Sequence, residues 1–138
     1  MPHTPELMAK KAIEVRKNAY HPHSKFAVGA CVRSEDGELF VGCNIENAAY
    51  TPTIHAEQAA IAAMISAGKK RITALAVIGS GTILCTPCGL CRQIIREFAA
   101  PDAPIYICNP QTGKIAVTTN IGELLPMSFG PENLESNK

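Results

Sequence analysis

Two short patterns, His55-Ala56-Glu57 and Pro87-Cys88-Gly89-Leu90-Cys91, constrain the fold of this 138-residue chain more than any other feature. Side chains two apart on a regular helix point to nearly opposite sides. His55 and Glu57 therefore converge on one site only if a helix begins between them, and regular helix is expected from about Ala56. Cys88 and Cys91 stand three apart at the start of a second predicted helix, a spacing that puts both sulfurs on one face. Thr86 is the candidate N-cap and Pro87 the candidate first helical residue. In that setting the helix dipole favours thiolate over thiol. The fold must bring two helix starts face to face across one ion.

One histidine and two cysteines form a donor set suited to Zn²⁺, and three protein ligands leave the fourth position open. Glu57 then remains as a carboxylate that does not ligate, free for acid/base work. Two thiolates balance the charge of the ion, so Gln58, a neutral neighbour, is consistent with this set. Competing readings are a pair of buried cysteines or a redox Cys-x-x-Cys. A Cys85, Cys88, Cys91 triple is also formally possible, but a cap at Thr86 puts Cys85 outside the helix. Cys85 is read instead as a small packed hydrophobe, as are Cys31, Cys43 and Cys108. His3, His21 and His23 are read as solvated.

Around these patterns the chain reads as α, β, β, α, β, α, β, β, α. Thr4-Pro5-Glu6 opens an amphipathic helix with Met8, Ala12, Val15 and Ala19 on its apolar side. Residues 26–32 and 39–45 are strand-like runs joined by Ser34-Glu35-Asp36-Gly37, an antiparallel hairpin signal. The alanine-rich run 54–67 is apolar almost all round and reads as a helix buried between layers. Strands at 71–79, 105–108 and 115–118, a helix at 88–99 and a short helix over 121–125 complete the order. The expected architecture is α/β: a three-layer α/β/α sandwich with a mixed, about five-stranded sheet. Residues 1–131 form a single domain, and 132–138 a flexible polar tail.

Composition narrows the partners. Apolar residues are 46% and charged residues 18%, with a formal net charge of +1, so no general attraction to phosphate backbones or anionic lipid is expected. A protein acting on bases within RNA or DNA would present a basic groove and stacking aromatics, against three Tyr, four Phe and no Trp here. No basic stretch leads into an apolar run at the N-terminus, and no apolar run approaches the ~20 residues of a membrane span. A cytoplasmic protein with reduced thiols and a small-molecule partner is expected, with no nucleic acid polymer and no membrane.

The paired patterns match the H-x-E…P-C-x-x-C signature of zinc nucleobase deaminases. The chain resembles the cytidine deaminase family over residues 5–131, through the blocks Ser24–Ala30, Gly42–Tyr50, His55–Glu57, Pro87–Gln93, Leu124–Pro126 and Phe129. The resemblance implies hydrolytic deamination of cytidine and 2′-deoxycytidine to the uridines and ammonia. It implies Zn²⁺ on His55, Cys88 and Cys91, with Glu57 as general acid/base. It further implies that Asn44 and Glu46 bind the ribose hydroxyls, that Phe26 packs on the base, and that Phe129 reaches the pocket of a neighbouring subunit. The backbone N–H of Ala56, at a helix start, is a candidate for holding the base edge. Short members of the family usually carry cysteine and arginine where His55 and Gln58 stand, and the histidine form is typical of longer, dimeric members. A homotetramer is expected, with a dimer as the alternative. Two other functions remain open: a blasticidin-S-type aminonucleoside deaminase, and a non-catalytic zinc-stabilised binding module. The module would need a fourth protein ligand, for which Cys85 is the nearby candidate. Arg92 could hydrogen-bond a thiolate or an adjacent subunit, or be a solvated helix residue, and it is not placed in the site.

Overall fold

In the computed structural model, which describes residues 4–135, five strands form one sheet in the order β2-β1-β3-β4-β5. The strands are β1 (Gly29–Ser34), β2 (Leu39–Cys43), β3 (Ile72–Ile78), β4 (Ile105–Cys108) and β5 (Ile115–Thr119). The β3/β4 pair is parallel and the other three are antiparallel, so the sheet is mixed as expected. Helix α1 (Pro5–Arg16) covers one face, where Met8, Ala9 and Ala12 pack on Cys31, Ala74, Ala76 and Ile78. Its start follows the sequence signals, with Thr4 Oγ1 accepting from the Leu7 N–H at 3.1 Å and Pro5 in the first turn. Helices α2 (Ala56–Ser66), α3 (Gly89–Phe98) and α4 (Ile121–Leu124) bury Ala60, Met64, Ile95 and Ile121 on the opposite face.

Two glycines set how closely the outer layers approach. A β-carbon at Gly42 of β2 would lie 2.4 Å from the Ala60 nitrogen, and one at Gly29 of β1 would lie 2.0 Å from the Ala12 carbonyl oxygen. Backbone contact of α2 on β2 is thus possible only because Gly42 lacks a side chain. That contact places the first turn of α2 beside the end of β2, where the chain runs on through Asn44 and Glu46.

Four local expectations change. The run 26–32 is strand only from Gly29. Residues 26–28 are held instead by side chains, with the Ala27 N–H donating to Ser80 Oγ and the Val28 N–H to Asn44 Oδ1, both at 2.9 Å. Helix α2 is not buried between layers: Ala62, Ala63 and Ile65 face outward and are exposed. Its all-round apolar pattern reflects alanine, which favours helix wherever it sits. Helix α3 begins at Gly89 with Cys88 as its N-cap, two residues later than the Thr86 cap predicted from sequence. Residues Pro131–Glu135, expected largely as tail, form a short helix α5 whose Glu132 pairs with Arg96. His3 and residues 136–138 lie outside the described residues.

Candidate functional site

Both helices that meet at the site are capped by the residues expected to ligate. His55, extended at φ −83° and ψ 154°, is the N-cap of α2, so helix starts at Ala56 as the His-x-Glu spacing requires. The His55 N–H donates to Gln58 Oε1 at 3.2 Å, which gives Gln58 a capping role beside its charge neutrality. Cys88 caps α3 and Cys91 stands in its first turn. His55 Nδ1 lies 3.3 Å from the sulfur of Cys88 and 3.3 Å from that of Cys91. The three ligand atoms all fall within 4.8 Å of one another, and among the described residues no other such His, Cys, Asp or Glu group occurs.

These distances suit zinc. A tetrahedral ion with sulfur at ~2.3 Å and nitrogen at ~2.0–2.1 Å sets its N···S edge at about 3.5 Å. Cys91 is fully buried, whereas Cys88 is exposed. Cys85 stays outside the ligand group. It is half-buried on the cavity wall, and burial, with Glu57 and Cys88 adding to it, pushes its thiol up to about 11. All six cysteines are free.

Without an ion, burial and then the charges of Glu57 and Cys88 push the Cys91 thiol well above its ordinary range. The charge of the ion supplies the missing stabilisation, so loading expels protons. Glu57 is 4% exposed, and burial raises its carboxyl above the ordinary value, partly offset by its own N–H and by His55. A carboxyl of this kind holds a proton more readily than a solvated one, which suits a group that must both take and give it.

A cavity of about 340 Å³ opens over this cluster, lined by Phe26, Asn44, Glu46, His55, Ala56, Glu57 and Cys88 among others. The ring of Phe26 reaches the chain at Gly79, where an added β-carbon would stand 3.0 Å from Phe26 Cζ and 2.5 Å from Cys85 Cβ. Asn44 Nδ2 donates to the Phe26 carbonyl at 2.8 Å, and Glu46 Oε1 accepts from the N–H groups of His23 (2.9 Å) and Ser24 (3.1 Å). Ser24 Oγ also donates to Glu46 Oε2, and these bonds hold the Glu46 carboxyl below its usual range. Both residues expected at the sugar are therefore structural anchors of the 23–28 segment as well. Asn44 keeps a second amide N–H, and Glu46 Oε2 keeps acceptor capacity, for a ligand. Phe129 lies outside the cavity lining; it is 58% exposed, and its carbonyl accepts from Gln93 Nε2 at 3.0 Å. Thr53 also lines the cavity, and nothing in its local sequence marks it; Ser24 and Cys85 line it too.

Comparisons with known proteins agree with this geometry. Residues 2–107 match the family described as "Cytidine and deoxycytidylate deaminase zinc-binding region". The chain is 42% identical over 129 residues to a cytidine deaminase of Sporosarcina psychrophila, spanning 94% of this chain and 93% of that one. It is 39% identical to one of Halalkalibacterium halodurans, over 94% and 96% of the two chains. The fold superposes on the crystal structure of a cytidine deaminase from Burkholderia pseudomallei with a TM-score of 0.85 and 35% identity, covering 92% and 100% of the chains.

Proposed function

The chain belongs to the cytidine and deoxycytidylate deaminase family, and from that premise we propose that it hydrolyses cytidine and 2′-deoxycytidine to uridine and 2′-deoxyuridine, releasing ammonia. The observation that carries the reading is a His-Cys-Cys ligand cluster with a buried, unligated carboxylate beside it at the base of a nucleoside-sized cavity. Zinc, when bound there, makes hydroxide accessible near neutral pH by lowering the pKa of water from 15.7 toward ~7.

The chain's own residues do the rest. His55, Cys88 and Cys91 would hold the ion. Glu57 takes a proton from the attacking water and delivers it to N3 of the pyrimidine as the oxygen adds at C4; it then takes the proton of the new C4 hydroxyl and gives it to the departing 4-amino nitrogen, so that ammonia leaves as the C4 carbonyl forms. Phe26 packs on the base, and the free N–H of Ala56, at the first position of α2, holds the base edge. The remaining amide N–H of Asn44 and Glu46 Oε2 meet the sugar hydroxyls.

Absorbance loss on cytidine, 2′-deoxycytidine and blasticidin S tests this directly. Turnover of the two pyrimidine nucleosides is expected. Turnover of blasticidin S alone would replace the proposed substrate by an aminonucleoside, and turnover of none would favour a zinc-stabilised binding module.

The assembly that suits this site is a homotetramer. Its support is the exposed outer face of α2 (Ala62, Ala63, Ile65) and the exposed Phe129, whose expected place is the pocket of a neighbouring subunit. Sedimentation should give four times the 14.7 kDa chain mass; two chains would favour the dimer, and one would remove both. Free thiols as ligands suit a reducing compartment, hence the cytoplasm, and no helix among the described residues is long and apolar enough to cross a membrane. Recovery in the envelope fraction on cell fractionation would contradict that placement.

A further inference from the structure

Arg92 follows Cys91 directly and is neither solvated nor bonded to a thiolate. Its backbone N–H donates to the Cys88 carbonyl at 2.8 Å, the first hydrogen bond of α3. Its guanidinium turns back past that bond: Nε donates to the Pro87 carbonyl at 2.6 Å and Nη2 to Thr86 Oγ1 at 3.3 Å. The Pro87 and Cys88 carbonyls belong to the two peptide groups on either side of the Cys88 α-carbon. One residue thus holds both peptides, and with them the φ and ψ that aim the Cys88 sulfur. The remaining arm, Nη1, donates to the Leu124 carbonyl at 2.8 Å, at the end of α4, where the last carbonyls of a helix lack partners of their own.

The bracket acts where it is needed. Cys91 is buried in the core and His55 is held by the cap of α2, whereas Cys88 is an exposed N-cap. We propose that Arg92 is the positioning residue of the metal centre: its guanidinium ties the Pro87 carbonyl and Thr86 to the end of α4 and, together with the backbone N–H of the same residue on the Cys88 carbonyl, presets the Cys88 sulfur against Cys91 and His55 before the ion arrives. This rests on the reading of His55, Cys88 and Cys91 as the zinc ligands. Only arginine suits the task, because three acceptors in different directions require the rigid planar fork; lysine offers a single point of attachment.

The test is zinc affinity, measured on the full chain by competition with a chromophoric chelator, alongside the melting temperature of the metal-free protein. Arg92→Lys and Arg92→Gln should weaken zinc binding by about 10–100-fold, the range usual for groups that orient a metal ligand. Ile95→Val, a truncation of a buried side chain on the same helix, serves as the control. It should lower the metal-free melting temperature and leave zinc affinity unchanged. Wild-type affinity in Arg92→Lys, or equal weakening by Ile95→Val, would overturn the proposal. Cys91→Ala, run in parallel, separates the two levels. If it loses zinc while the Arg92 variants keep it, the ligand reading stands and the positioning role falls. If all of them bind zinc as wild type does, both fall.

Discussion

Glu57→Gln is expected to keep its zinc and lose turnover by at least the ~10²–10⁴-fold that a positioned acid/base group contributes. Glutamine preserves the size of a side chain that is 4% exposed, so the packing of the first turn of α2 survives. It cannot carry one proton from water to N3 and a second from the C4 hydroxyl to the leaving nitrogen, so every step assigned to Glu57 stops. Zinc content and cytidine turnover measured on one preparation check this, and a variant as active as wild type would sink the role of Glu57. The same substitution has a second, opposite consequence. Burial raises the Glu57 carboxyl above its unfolded value, so over the interval between the two pKa values the folded state binds more protons than the unfolded state. Stability in the metal-free protein is therefore present below the ordinary carboxyl range and lost as pH rises through the folded pKa. Metal-free Glu57→Gln should melt above wild type at neutral pH, with the difference shrinking as pH falls toward ~4.

His55→Ala and Cys91→Ala are each expected to lose zinc and activity together, by more than the ~10–100-fold typical of changes to outer groups around a metal. His55 Nδ1 is the atom common to both 3.3 Å contacts, so its removal opens one corner of the cluster. Cys91 is buried, and its thiol surrenders a proton only to the ion, so zinc affinity in the wild type should strengthen as pH rises. Cys85→Ala, on the cavity wall but outside the ligand group, should retain the metal. Metal analysis of the three purified variants decides between the readings. Zinc lost from Cys85→Ala and kept by His55→Ala would favour the structural module over the enzyme.

The clearest legibility lay where chemistry constrains backbone. Two side chains two apart can meet one ion only across a helix start, and α2 begins at Ala56 with His55 as its cap. The antiparallel hairpin and the mixed sheet followed from alternation, the turn residues Ser34–Gly37 and a helix between two later strands, because each of these signals is local; the order of the strands was not legible. Local signals mislead where distant contacts run against them. Pro87 resembles a first helical residue, yet its carbonyl is taken by a side chain five residues on, and α3 starts only at Gly89. The alanines of α2 say helix but not which side is covered.

The sequence alone determined the donor set, the spare carboxylate and the need for two converging helix starts, because those depend on residue type and spacing along one or two turns. Only the tertiary structure decided which atoms meet. Cys85 is excluded from the ligand group, Asn44 and Glu46 double as anchors of the 23–28 segment, and Arg92 brackets Cys88 from a helix end 32 residues away in sequence. Each of these is a contact between segments whose meeting is set by how closely α2 can lie on β2 and how α3 packs against α4. That closeness depends on the missing side chain at Gly42 and on carbonyls without helical partners, neither of which announces its distant partner locally.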